Sequence, residues 1–172
     1  KAMSSSPFIV AELSANHLCS LDRAMEIVEA AADAGADGFK LQPWTPGTMC
    51  LDKTYTLTSG PWAGKRLAEL YELAFTPWEW HSVLFDFIRA KGMVPFSSAF
   101  DVKAVDFLET LGVDRHKVAS FELTDLQLIR YMASKGKPMI LSTGMASVEE
   151  CSEAMRTVWR GRPSVRVIPD IT

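Results

Sequence analysis

Successive short apolar runs in this chain each end in polar side chains capable of chemistry. The first closes on Glu12, followed by Ser14, Asn16 and His17. The second holds Lys40 and Gln42 among apolar neighbours, and the third ends in Ser97 and Ser98. The fourth carries Lys117 and Ser120 with Glu122 just beyond, and the fifth ends in Ser142, Thr143 and Gly144. The lysines, hydroxyls and glycine-bearing turn suit an anionic ligand such as a phosphate or carboxylate. The carboxylates can supply acid and base chemistry. Placing lysine or glutamate in a short apolar strand is costly unless the group is paired or faces a ligand. Singly, Lys40 or Lys117 reads equally well as a snorkelling strand residue, and the serines and Thr143 read more readily as turn formers. Their repetition along consecutive runs points to a functional rim.

These runs alternate with helical patterns. Phe8-Ile-Val-Ala-Glu-Leu is rich in β formers, and residues 21–36 follow with helical spacing, Ser20 serving as N-cap and Gly35 as stop. Gly38-Phe-Lys-Leu-Gln reads as the second strand. Residues 76–91 read as a helix opened by Thr76 as N-cap and Pro77 at the first helical position. Further along, strands over 93–98, 116–120 and 137–142 precede helices over 101–111, 124–134 and 147–160, and residues 164–168 suit a sixth strand. Gly35, Gly92, Gly112 and Gly136 each close a helix shortly before the next strand.

Such alternation implies a parallel sheet with right-handed crossovers, since parallel neighbours need a helix-length return. It does not choose between a barrel and an open sheet. In either, the C-terminal strand ends converge on one rim, where ligands bind. Residues 43–75 break the rhythm after the second strand: Pro43, Pro46, Gly47, Gly60 and Pro61 make the first part loop-like, and 66–75 has helical spacing. An insertion there is either an active-site cover or a surface excursion.

The 172 residues are 48% hydrophobic and 23% charged, the make-up of a soluble globular domain. A net charge of −3 offers no electrostatic case for nucleic acid. No stretch approaches the roughly 18 apolar residues of a membrane helix. Residues 1–7 are Ser-rich, lack the apolar core of a signal peptide and are expected to be a disordered lead-in. Cys19, Cys50 and Cys151 form neither a C-x-x-C pair nor a disulfide framework, so reduced thiols in a cytoplasmic protein are expected. His81 and His116 are expected to be structural. His17 is the histidine near the rim, and one histidine is no basis for a metal site, which needs several ligands.

At these residues the chain resembles the sialic acid synthase family, and within it the pseudaminic acid synthase branch. Ile9-Val-Ala-Glu-Leu-Ser-Ala-Asn-His17 is similar to the family's opening signature, and Ala36-Asp-Gly-Phe-Lys-Leu-Gln42 to its second-strand motif. Lys117-Val-Ala-Ser-Phe-Glu122 resembles its Lys-x-x-Ser-x-Glu, and Leu141-Ser-Thr-Gly-Met145 its fifth-strand turn. Trp62-Ala-Gly, Glu69-Leu-Tyr71 and Thr76-Pro-Trp-Glu-Trp-His81 resemble the pseudaminic branch. The resemblance implies a TIM (β/α)8-type barrel that condenses phosphoenolpyruvate with an N-acylated amino-sugar aldehyde to give a nonulosonic acid and phosphate. It implies that Lys40, Ser98, Lys117, Ser120 and Ser142 hold phosphoenolpyruvate, that Glu12 and Glu122 are the acid/base or sugar-contacting carboxylates, and that Asn16, His17 and Gln42 lie on the substrate side. It further implies a divalent metal (manganese or magnesium) for the complete enzyme, and a homodimer in which a C-terminal antifreeze-like domain completes the partner's site.

This sequence also departs from the family pattern. Leu18-Cys19 stand where family members have Asn-Gly, residues 164–172 do not match the sixth-strand pattern, and neither the later strands with the metal histidines nor the antifreeze-like domain follows. The chain has room for about six parallel strands and five main helices, whereas a complete barrel takes roughly 250 residues. The expectation is therefore an incomplete barrel over residues 8–172, a fragmentary or degraded copy without metal ligands of its own. A Schiff-base aldolase using Lys117 or Lys40 as nucleophile and a non-catalytic anion-binding remnant are the alternative readings.

Overall fold

The computed structural model of the protein describes residues 7–169. The lead-in expected over residues 1–7 lies outside them, apart from Pro7. Strands β1 (Val10–Glu12), β2 (Gly38–Leu41), β3 (Val94–Ser97), β4 (His116–Val118), β5 (Met139–Leu141) and β6 (Val167–Pro169) alternate with helices. The principal helices are α1 (Leu21–Asp33), α4 (Trp78–Ala90), α5 (Val102–Thr110), α6 (Leu126–Ser134) and α7 (Val148–Gly161). Two more, α2 (Pro46–Met49) and α3 (Leu67–Ala74), lie in the insertion after β2. All strand pairs are parallel, in the orders β1-β2-β3 and β4-β5-β6. An isolated parallel bridge between Ser98 and Lys117 joins the two sheets. The result is an incomplete (β/α)8-type barrel.

Local chemistry places these elements. Ser20 Oγ accepts from Arg23 N at the start of α1, and Asp101 caps α5 through Ala104 N. Ser147 and Glu150 close a reciprocal capping box at α7. At the other ends Gly35, Gly92, Gly112 and Gly136 all have positive φ, the left-handed turn that a glycine makes at least cost. The apolar stripe of each helix then packs on the sheet. Ala24 and Val28 of α1, and Leu84, Phe85 and Ile88 of α4, are fully buried against Phe39 and Leu41 of β2 in one continuous core.

Several boundaries differ from those the sequence suggests. Helix α4 begins at Trp78 with Pro77 as its cap residue, and Thr76 is buried with its Oγ1 3.3 Å from His17 Nε2. The Thr76 hydroxyl meets a distant ring instead of capping its own helix. Residues 120–124 form a 3₁₀ turn (Ser120–Thr124) rather than the end of β4 and the start of a helix. Strand β6 begins at Val167, not Ser164. The insertion is more ordered than its prolines and glycines suggest: Thr45 and Thr48 cap α2 reciprocally, and Thr56 bridges Arg66 antiparallel before α3. No helix among the described residues is long and apolar enough to cross a membrane.

Candidate functional site

Register decides which side chains meet. Glu12 pairs with Lys40 and Lys40 with Phe96, so these share one face of the sheet. Ser98, two residues beyond Phe96, faces the same way and bridges Lys117. Glu12, Lys40, Ser98 and Lys117 therefore line one face at the C-terminal strand ends. The alternate residues Phe39, Leu41, Val118 and Leu141 turn outward under the helices and are buried.

On the β1–β2 side, Lys40 Nζ lies 2.6 Å from Glu12 Oε1. The same oxygen accepts from Gln42 Nε2 at 2.6 Å and from Ser14 Oγ at 3.2 Å. Burial by itself would raise the Glu12 carboxyl, but the Lys40 ammonium and these hydrogen bonds outweigh it and hold the pKa below the usual value. Glu12 is thus an anion whose charge is already balanced.

On the β4–β5 side, Lys117 is 7% exposed. Its Nζ donates to the Val118 carbonyl at 3.0 Å and to Ser142 Oγ. Ser120 stands on the 3₁₀ turn, where it meets the loop after β5: a Cβ on Gly144 would come within 3.0 Å of Ser120 Oγ. Only a residue without a side chain allows that approach without moving the hydroxyl. Glu122 follows on the same turn, with Oε2 buried and without a hydrogen-bond partner among the described residues. Burial pushes its carboxyl above the usual value, Asp125 adds to the rise, and Lys117 offsets only part of it. The site thus holds one carboxylate shifted toward the anion and one shifted toward the acid, the direction of separation on which acid–base chemistry draws.

Among the other rim residues, Gln42 joins Glu12 directly. Asn16 is exposed and its amide donates to the Leu13 carbonyl at 3.1 Å, bracing the turn after β1. His17 is fully buried; its Nδ1 accepts from Cys19 N at 3.1 Å, its Nε2 faces Thr76, and Trp80 packs edge-on against the ring. The structure places it between the β1–α1 turn and α4, not beside Glu12. His81 and His116 are buried on the outer, helix-packed side, His116 Nε2 lying 2.9 Å from Glu109 Oε1. Sequence reasoning missed Trp44, whose indole donates to Gln42 Oε1 at 3.0 Å. Its one sequence signal is a donor two residues beyond the glutamine. No three His, Cys, Asp or Glu side chains among the described residues converge as metal ligands, so these residues by themselves do not fit a resident divalent metal. Cys19, Cys50 and Cys151 are free thiols.

Comparison with known proteins gives this geometry a context. Residues 27–168 match the model of the NeuB family. Over 146 residues the chain is 43% identical to a pseudaminic acid synthase of Campylobacter jejuni, covering 83% of this chain and 43% of that protein. It is also 43% identical over 152 residues to a pseudaminic acid synthase of Helicobacter pylori, covering 87% of this chain and 45% of that protein. The structure superposes on N-acetylneuraminic acid synthetase from Leptospira borgpetersenii, solved with citrate, at a TM-score of 0.80 and 25% identity, covering 94% of this chain and 53% of that one. The chain therefore spans about half the length of the relatives it matches.

Proposed function

The chain belongs to the NeuB family, and from that premise we propose that it forms the phosphoenolpyruvate-binding half of a nonulosonic acid synthase. The observation that carries the reading is the rim itself, where Lys40 and Lys117 stand with Glu12, its pKa lowered beside Lys40, and Glu122, its pKa raised by burial. In this reading Lys117, with Ser98, Ser120 and Ser142, holds the phosphate and carboxylate of phosphoenolpyruvate, and Lys40 completes the cationic wall. The enol carbon attacks the aldehyde carbon of an N-acylated amino sugar, of the pseudaminic type by similarity to the relatives. A new C–C bond forms and the carbonyl oxygen gathers negative charge. Glu122, whose burial favours the protonated form, is the group suited to give that oxygen a proton. Glu12, held as the anion, is suited to take one from the water that adds to the neighbouring, phosphate-bearing carbon before phosphate leaves.

The whole enzyme in this reading is a cytoplasmic homodimer that uses manganese or magnesium, held on ligands outside the described residues. Titration calorimetry with phosphoenolpyruvate tests the proposal. Saturable binding that Lys117→Met weakens at least tenfold supports it, and no heat at millimolar ligand refutes it. Borohydride trapping with pyruvate separates the covalent alternative, since an aldolase lysine loses water with pyruvate to form an imine that hydride reduces to a stable secondary amine, whereas this site would form no imine.

A further inference from the structure

The hydrogen bonds around Glu12 continue outward through a residue that the chemistry above does not use. Gln42 donates to Glu12 through Nε2 at 2.6 Å, while its Oε1 accepts from the Trp44 indole at 3.0 Å. An indole N–H can only donate, so the atom of Gln42 facing it must be the amide oxygen. The NH₂ group is then committed to Glu12. Trp44 itself is 5% exposed and packs edge-on against Tyr71, with ring centroids 5.2 Å apart. Tyr71 belongs to α3, the helix of the insertion after β2.

We infer that Trp44 is a positioning residue that fixes the Gln42 amide with its NH₂ on Glu12, and so ties the insertion after β2 to the state of that carboxylate. An amide free to turn over would stabilise Glu12 in both forms, donating to the anion and accepting from the acid. With its oxygen held by the indole it stabilises only the anion. Trp44 thereby favours Glu12 as the anion without touching it. This deepens the reading of Glu12 as the site's anionic carboxylate and rests on that reading for its consequence. The coupling is measurable without ligand, so a failure to bind phosphoenolpyruvate and a failure of the coupling are separate results.

The test is a ¹³C NMR titration of glutamate carboxyl carbons in the 172-residue chain, with Glu12 assigned through Glu12→Gln. Trp44→Phe keeps the ring and removes the N–H. The expected result is an upward shift of the Glu12 midpoint in Trp44→Phe that disappears when the substitution is made in a Gln42→Met background. An unchanged midpoint in folded Trp44→Phe, or an equal shift in the Gln42→Met background, overturns the proposal. Should Trp44→Phe fail to fold, the unsubstituted protein still decides. The Trp44 indole N–H resonance must titrate with the Glu12 midpoint, and an indole resonance indifferent to that titration overturns the coupling.

Discussion

Ser98 at the end of β3 bridges Lys117 on β4, and at this isolated pairing the two three-stranded sheets meet. The seam of the fold and the centre of the candidate anion site are thus the same residues. Lys117 reaches across to Ser142 beyond β5 as well, so a ligand held there would tie three consecutive strand ends together.

Backbone amides at the seam should therefore exchange with solvent sooner than those within the ladders. In hydrogen-exchange mass spectrometry, peptides spanning residues 97–99 and 117–119 should exchange faster than those of β2 or β5. Phosphoenolpyruvate should slow the seam preferentially, and at a hundredfold excess over its dissociation constant it should stabilise the chain by about 2.7 kcal/mol. Uniform protection along all strands would mean that the seam is not the weak joint of the fold.

The turn after β1 bears strain that substitution should relieve. Leu18 and Cys19 have φ of 48° and 58°, the left-handed region in which a Cβ is unfavourable. Asparagine and glycine accept this backbone more readily than leucine and cysteine do. Cys19→Gly and Leu18→Asn should each raise stability by up to about 1 kcal/mol, or a melting temperature higher by roughly 2–4 °C at this length. Leu18 is 69% exposed, so its replacement sacrifices little packing. A lower melting temperature in both variants would show that the turn depends on these side chains.

The same turn shows how far sequence carries and where it stops. The rim lysines, serines and glutamates were legible because strand ends follow from short apolar runs and helices from their caps, as at Ser20, Asp101 and Ser147. Partnership across strands was not, because spacing along one strand says nothing about its neighbour's register. Glu12 with Lys40, and Ser98 with Lys117, needed the ladders. Ser120 and Glu122 were visible as residues but not as members of a 3₁₀ turn, since its few residues lack the periodicity of a longer helix. Thr76 looked like a cap because threonine before proline usually is one, yet its hydroxyl is taken by His17, 59 residues earlier in the chain.

Acid should destabilise the fold through its buried histidines. Burial pushes His81 down to about 4, with a hydrogen bond to the Pro77 carbonyl offsetting only part of the effect. A folded pKa below the unfolded one means stability that is present above pH 6.5 and lost as pH falls toward 4. The loss from His81 is of order 3 kcal/mol across that window. His17 and His116 are also lowered by burial and act with the same sign. His81→Leu should remove its share of the slope in urea unfolding measured between pH 7 and pH 4, and an unchanged slope would show that His81 takes up its proton alike in the folded and unfolded chain.

Glu122 should link phosphoenolpyruvate binding to protons at a higher pH than an ordinary carboxylate would. Its pKa is raised by burial first and by Asp125 second, so the neutral acid persists above the normal value of 4.5. Ionising it beside a bound anion adds repulsion that the free protein does not feel, so ligand and proton favour each other's binding. Affinity should fall as pH rises through the raised pKa, and Glu122→Gln should flatten that fall while preserving the acid-side affinity. Ionisation of the ligand's own phosphate contributes equally to both proteins and cancels in the comparison. Glu12, whose pKa is lowered by Lys40 and its hydrogen bonds against the pull of burial, is already an anion in this range. Replacing Glu12 by Gln should therefore change the affinity without changing the slope. If the two glutamine variants instead show the same pH dependence in calorimetry, the division of roles between the carboxylates is wrong.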